Sequence, residues 1–320
     1  MRILHISDLH LKDPKGIEVE GVLERFFDII TVNAREQRFD QIFVTGDIRD
    51  SRSGISVRSA IDVITNIASS AGVSDKRYIH LLPGNHDLNR RESKEIEEIR
   101  KVYDYSNGTF NNAKPDLRIL QNRFKCFFWE LCKQYFSTTD PWCDHRQNPH
   151  YLRVVGGFAF ICVNSALCCI SNSRDGSLII GTAYLKQLID AAVDQNVEKV
   201  FIFAHHPIQN LATLEETALN DLLIGYKDLS FYWMCGDAHM NRQNLREYID
   251  TYQVGSLTIR KDLIPDFAIY DISDTEIKRR VFRFIGHLNN PAKPGKTTGG
   301  WKRVYIDPKA PSLYYDETLE

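Results

Sequence analysis

Arg2-Ile3-Leu4-His5-Ile6 leads directly into Ser7-Asp8-Leu9-His10, and the same event recurs four more times along the chain. Gln41 to Thr45 runs into Gly46-Asp47-Ile48-Arg49-Asp50. Tyr78 to Leu82 runs into Gly84-Asn85-His86-Asp87. Lys199 to Phe203 runs into Ala204-His205-His206-Pro207, and Phe231 to Cys235 into Gly236-Asp237-Ala238-His239. Each first half is a short apolar run rich in β-branched and aromatic residues, which reads as a buried strand. Each second half carries carboxylate, imidazole or carboxamide groups. Open α/β sheets bind ligands outside the carboxyl ends of their strands, so five such strand ends predict one chemical site. Taken singly, each motif is an ordinary polar strand end or turn. Jointly they favour a metal site, because Asp, His and Asn are the side chains that ligate divalent cations.

Outward from these motifs the chain alternates strands with amphipathic helices. Val19 to Gln37 spaces Val22, Leu23, Phe26, Phe27, Ile29 and Ile30 at helical intervals, and Ser56 to Ala71 does the same with Val57, Ile61, Ile64, Ile67 and Ala68. Thr182 to Gln195 and Thr213 to Gly225 are two further helices, and Phe158 to Val163 is a further strand. This alternation predicts a layered α/β fold. Tyr252 to Leu257, Phe267 to Ile272 and Val281 to Ile285 read as strands without intervening helices, an antiparallel continuation. The expected architecture is a four-layered α/β/β/α sandwich with mixed sheets. Residues 92–150 interrupt the rhythm with a charged helix over Glu92 to Tyr103 and an aromatic helix over Asp116 to Phe136. They read as a helical insertion forming a cap.

The 320 residues carry a formal net charge of -2, so no global field draws the chain to nucleic acid or to an acidic membrane. No apolar run approaches the ~20 residues of a membrane helix, and the first residues lack the apolar core of a signal peptide. Seven cysteines, scattered and without a Cys-x-x-Cys pair, do not form a disulfide framework and point to a reducing, cytoplasmic compartment.

The motif set resembles that of the calcineurin-like metallophosphoesterase superfamily: D-x-H, G-D-x-x-D, G-N-H-[DE], a His within H-x-P, and G-H-x-H. The resemblance covers roughly residues 1–285, leaving 286–320 as a C-terminal extension or tail. It implies two divalent cations about 3.5–4 Å apart that clamp an in-line phosphoryl displacement. By resemblance, Asp8, His10, Asp47 and His239 hold one metal. Asp47, as a bridge, holds the other with Asn85, His205 and Asp237. A hydroxide activated by both metals is then the nucleophile. His86 protonates the leaving oxygen or steadies the phosphoryl charge, and Asp87 fixes the His86 tautomer. Asp50, His206 and Asn164 are expected beside the ligands or the substrate, and His5, His80, His145, His150 and His287 are assigned to structure.

One position departs from the pattern: Asp237 stands where the family usually has a histidine. A carboxylate is a harder ligand, which favours Mn²⁺ or Mg²⁺ over Zn²⁺, with iron also admissible. The function implied is hydrolysis of a phosphodiester: a cyclic nucleotide, another nucleotide or a nucleic acid. Two alternatives differ in class. One is a nuclease or DNA-repair-type subunit, which needs a basic strip such as Arg90, Arg91, Arg100, Lys101, Arg118, Arg123 and Lys125. The other is a non-catalytic effector or scaffold domain of a larger protein. Aromatic residues of the insertion are candidates for base stacking or, more simply, for a core.

Overall fold

The computed structural model describes residues 1–11, 17–49, 55–89, 93–111, 113–142, 147–170, 176–239, 242–244, 248–257, 264–287, 298–306 and 314–316. In chain order the elements are β1 (Arg2–Ile6), α1 (Ile17–Glu36), β2 (Gln41–Thr45), α2 (Val57–Ser70), β3 (Ile79–Leu82), α3 (Ser93–Lys101) and α4 (Ala113–Asn122). A π-helical segment (Cys126–Cys132) leads into α5 (Lys133–Phe136). Then come β4 (His150–Val155), β5 (Phe158–Val163), α6 (Thr182–Val193), β6 (Lys199–Ala204), α7 (Thr213–Ile224) and β7 (Ser230–Cys235). The chain closes with β8 (Arg242–Asn244), β9 (Asp250–Gln253), β10 (Asp266–Ile272), β11 (Ile277–His287), β12 (Thr298–Ile306) and β13 (Tyr314–Asp316). The fold class is the expected α/β class, with two mixed sheets and flanking helices.

The chain forms two compact units. The first comprises residues 1–81, 236–243 and 253–320. Its sheet has the order β13-β12-β11-β10-β1-β2-β3 among the described residues. β1 runs parallel to β2, in register Ile3 with Gln41, and antiparallel to β10, in register Arg2 with Asp271. Helix α2 shows why these segments are helical. Ser56 accepts the Ser59 N–H at 3.0 Å as its N-cap. Ala60, Ile64, Ile67 and Ala68 then bury one stripe at spacings of three and four. The expected tail is in part sheet: β12 pairs with β11, Val281 opposite Val304 and Phe284 opposite Trp301. Trp301 packs its ring against Phe26, Phe267 and Phe284. A Gly- and Lys-rich flank around one Trp and one Val hides the strand alternation in the sequence.

The second unit comprises residues 82–235 and 244–252 and carries the sheet β4-β5-β6-β7-β9-β8. β5, β6 and β7 are parallel, and β4 is antiparallel to β5. The insertion differs from expectation. The single helix read over Asp116 to Phe136 is α4, a break after Asn122, the π-helical segment and α5. Phe124, Phe127, Phe128, Tyr135, Phe136 and Trp142 are all buried, so packing of large rings overrides a continuous α-helical register. Rings of Phe127, Phe128 and Tyr151 each meet Trp142.

The histidines assigned to structure sit in buried hydrogen bonds wherever their side chains are described. His80 Nε2 meets Gln41 Oε1 at 2.8 Å and the ring stacks on Phe43. His5 Nε2 meets Thr45 Oγ1 at 2.9 Å, and burial, aided by Arg279, pushes its pKa down to about 3. His150 is held between the Ile180 carbonyl at Nε2 and the Asn164 N–H at Nδ1. Burial lowers its pKa to about 4. His145 lies outside the described residues.

His150 therefore folds in its neutral form while the unfolded chain takes up a proton near pH 6.5. Its contribution is complete above pH 6.5 and is lost as pH falls toward 4, reaching about 3 kcal/mol. Unfolding free energy is expected to fall over that window, with a shallower slope in His150→Gln. Equal slopes in urea titrations from pH 7 to 4 would remove His150 from the account.

Candidate metal centre

The unit-one candidate ligands come from three chain segments, two of which are loops laced side by side. Asp8 N–H donates to Gly46 O at 3.1 Å, His10 N–H to Asp47 O at 2.8 Å and Leu11 N–H to Ile48 O at 3.0 Å. The loops leaving β1 and β2 thus run together and present their side chains as one group. Asp8 and His10 do not continue the extended backbone of β1. Asp8 has φ 55° and His10 φ 40°, and Asp237 and His239 have φ 63° and 51°. Asp47, at φ 51°, joins them. Left-handed backbone is uncommon outside glycine, and Asp, Asn and His adopt it most readily.

Within this unit Asp8 Oδ1 lies 3.5 Å from His10 Nε2 and 3.6 Å from His239 Nδ1, and His10 Nε2 lies 3.6 Å from Asp47 Oδ2. Ligand atoms of Asp8, His10 and His239 all fall within 4.8 Å of one another. These gaps exceed hydrogen-bond lengths. They match the spacing of donors about 2.0–2.2 Å from a shared cation, which are roughly 3–3.5 Å apart. Asp8 and Asp47 are 0% and 2% exposed, and two buried carboxylates call for a compensating positive charge. The donor set fits a divalent cation and brings together the four residues expected to hold one metal.

The other carboxylate oxygen of Asp8 is fixed by protein. Oδ2 accepts from the Ser7 hydroxyl at 2.6 Å and from the Asp237 N–H at 3.0 Å. Gly236 permits this approach: a Cβ there would lie 1.9 Å from Ser7 Oγ and 2.7 Å from Asp8 Oδ2. The Gly236 carbonyl is held in turn by Gln253 Nε2 at 2.8 Å. Asp237 is buried, with its backbone amide on Asp8.

The unit-two residues are held by hydrogen bonds of their own. Asp87 N–H donates to Gly84 O at 3.2 Å and Asp87 Oδ2 accepts from Gly84 N–H at 3.0 Å. Asp87 thereby closes the turn that presents Asn85 and the half-buried His86. Asn85 Oδ1 meets His205 Nε2 at 3.2 Å, across 120 residues. His206 is secured beside it: Nδ1 meets Ser165 Oγ at 2.9 Å, its N–H donates to the same oxygen at 3.0 Å, and its carbonyl accepts from Trp233 Nε1 at 3.1 Å. Asn164 continues β5 next to the His205 position, since Val163 pairs with Ala204. Its side chain is wholly buried. Asp50 lies outside the described residues, as do Arg90 and Arg91.

Sequence reasoning missed Ser7, Gln253 and Ser256 as supports of the ligands. Ser7 adjoins Asp8, and its hydroxyl was a readable signal. Gln253 and Ser256 reach their partners only through the sheet. Arg123 is also corrected. It is 2% exposed, and its guanidinium donates to the carbonyls of Asn89, Leu167 and Cys169. It cannot contribute to a surface strip.

A model of calcineurin-like phosphoesterases matches residues 1–241. The chain belongs to that family. It is 27% identical over 201 residues to an uncharacterized metallophosphoesterase-like protein, YydB, of Bacillus subtilis (strain 168). That match covers 62% of this chain and 40% of the length of the relative. Among solved structures, a dimetal phosphatase from Danio rerio superposes with a TM-score of 0.52 at 12% identity, over 88% of this chain and 95% of that one. That likeness concerns the fold. Among the described residues no helix is long and apolar enough to cross a membrane, and the described cysteines are free thiols, all but Cys126 buried.

Two outcomes follow from this geometry. Mn²⁺ is expected to raise the melting temperature of chelator-treated protein, since it binds the native donor set. An unmoved melting curve with millimolar Mn²⁺, Zn²⁺ and Mg²⁺ would refute the centre. Gly236→Ala is expected to cost about 1–3 kcal/mol of stability by overpacking against Ser7 and to weaken Mn²⁺ binding. Wild-type melting and affinity in that variant would show that the turn has room.

Proposed function

We propose that this chain is a metal-dependent phosphoesterase that hydrolyses phosphodiesters of nucleotide or nucleic-acid type, with two divalent cations and Mn²⁺ preferred. The observation that carries the reading is the buried Asp8, His10, Asp47 and His239 group in a chain of this family. When bound, the cations supply an acidified water as nucleophile and positive charge for the phosphoryl oxygens.

The chain's own residues do the rest. Asp8, His10, Asp47 and His239 would hold one cation. By resemblance, Asn85, His205 and Asp237, with Asp47, would hold a second. His86, presented by the turn that Asp87 closes, donates a proton to the leaving oxygen. Ser165 and Trp233 keep His206 in place next to His205.

Diester preference rests on charge. Arg49 is the only Lys or Arg within the five motifs, and its guanidinium donates to the Ile55 carbonyl at 2.8 Å. A dianionic monoester asks for more cationic side chains than that. The nuclease reading is weakened by the burial of Arg123. Of the insertion's rings with described placement, Trp129 is the large exposed one, at 42%, and Lys133 lies over it at 4.8 Å. Free thiols fit a reducing, cytoplasmic setting.

Activity on bis-p-nitrophenyl phosphate with Mn²⁺ is expected to exceed that on the monoester under the same conditions. A monoester preference would move the assignment to phosphatases. No turnover of either with any metal would favour a scaffold role. Asp47→Asn is expected to lose Mn²⁺ binding and activity together. His86→Ala should keep the metal and lose about 10²–10⁴-fold in kcat. Equal metal loss in both variants would break this division of roles.

A further inference from the structure

Asp8 is held by a residue far beyond its own loop. Its carbonyl oxygen accepts a hydrogen bond from the Ser256 hydroxyl at 2.8 Å, across 248 residues. Ser256 is 1% exposed, and the backbone on both sides of it is anchored. Its carbonyl accepts from Asp266 N–H at 3.1 Å, and Leu257 N–H donates to Ser7 O at 3.2 Å. Gly255 N–H donates to Asp266 Oδ1 at 2.5 Å. A Cβ at Gly255 would lie 2.7 Å from the Asp266 carboxylate, so the loop is pressed onto that side chain. Arg283 on β11 meets Asp266 Oδ2 at 3.4 Å. Gly255, Ser256, Leu257, Asp266 and Arg283 lie beyond position 241, where the family match ends.

We propose that Ser256 is a positioning residue for the metal centre: its hydroxyl holds Asp8 in the left-handed conformation that aims Oδ1 at His10 and His239. The strands following the family match thereby set the cation affinity. The inference rests on the metal-dependent reading above.

The physical reason is the backbone. Asp8 at φ 55° occupies a region that a non-glycine residue leaves unless its surroundings over-determine it. Its N–H and carboxylate are tied by Gly46, Ser7 and Asp237, and the carbonyl is tied by Ser256. Loss of the hydroxyl removes the donor that holds the peptide plane following Asp8. Rotation of that plane feeds back on ψ of Asp8 and displaces Oδ1 from the two imidazoles. Residues that orient metal ligands in this way typically change affinity by about 10–100-fold when removed.

The test uses the full chain, stripped of metal by chelator, as wild type, Ser256→Ala and Asp266→Asn. Mn²⁺ affinity is read by calorimetry, and melting temperature is read with EDTA and with Mn²⁺. Ser256→Ala is expected to bind Mn²⁺ about 10–100-fold more weakly and to show a smaller rise in melting temperature on adding Mn²⁺. Asp266→Asn, one link further from Asp8, should move both readouts in the same direction by less. It carries the test alone if Ser256→Ala does not fold. A purely structural role predicts equal melting losses with and without Mn²⁺ and wild-type affinity, and that result overturns the proposal. A wild-type chain that binds neither Mn²⁺ nor Zn²⁺ removes the metal-dependent reading and this inference with it.

Discussion

The left-handed backbone at the strand ends is the constraint on which the first unit's site depends. Seven non-glycine residues have positive φ among the described residues, and five of them are Asp8, His10, Asp47, Asp237 and His239. A side chain that merely followed strand alternation would leave its neighbour two positions on at β spacing. Turning each ligand residue to positive φ gathers donors from three chain segments into gaps of 3.5–3.6 Å. Such conformations cost of order 1 kcal/mol or more each, and the lacing of Asp8 to Leu11 along Gly46 to Ile48 holds them. Gly236 belongs to the same device, since only a residue without Cβ lets the third segment lie against Ser7 and Asp8.

The second unit organises its residues by different means. Asn85 and His86 stand on a turn whose ends are joined by Asp87 through both backbone and side chain. His205 and His206 follow a buried parallel strand, where Asn85 meets the His205 imidazole, Ser165 meets that of His206, and Trp233 donates to the His206 carbonyl. Rigid turns and saturated networks suit groups that must hold or move a proton, because a mobile imidazole would lose its orientation.

The insertion illustrates how a composition signal divides into roles. Its rings form a core around Trp142, and that core drives the π-helical segment. Arg123 donates three hydrogen bonds to backbone carbonyls from two loops, one of which follows the His86 turn. A buried guanidinium needs such acceptors. Reading it as surface charge treats residue type as location, which burial decides.

The sequence by itself determined the α/β class, the positions of β1, β2, β5 and the strands before the five motifs, and the residue types that stand at those strand ends. Apolar runs of strand length followed by Asp, His or Asn are local signals that survive without neighbours. It did not show that Thr298 to Ile306 is a strand, because Trp301 and Val304 stand three positions apart, out of step with the strand period of two, and find their partners only in α1 and β11. Nor did it show the break after Asn122, where ring packing outweighs local propensity. Ser7 was legible as a neighbour of Asp8, whereas Gln253, Ser256, Asp266 and Arg283 were not. Their contributions are hydrogen bonds and close approaches between residues 10 to 248 positions apart. Only the pairing of β1 with β10, and of β10 with β11, brings those groups within reach. Residue types name a chemistry, but the geometry that makes it work comes from sheet register and from backbone turned away from its usual region.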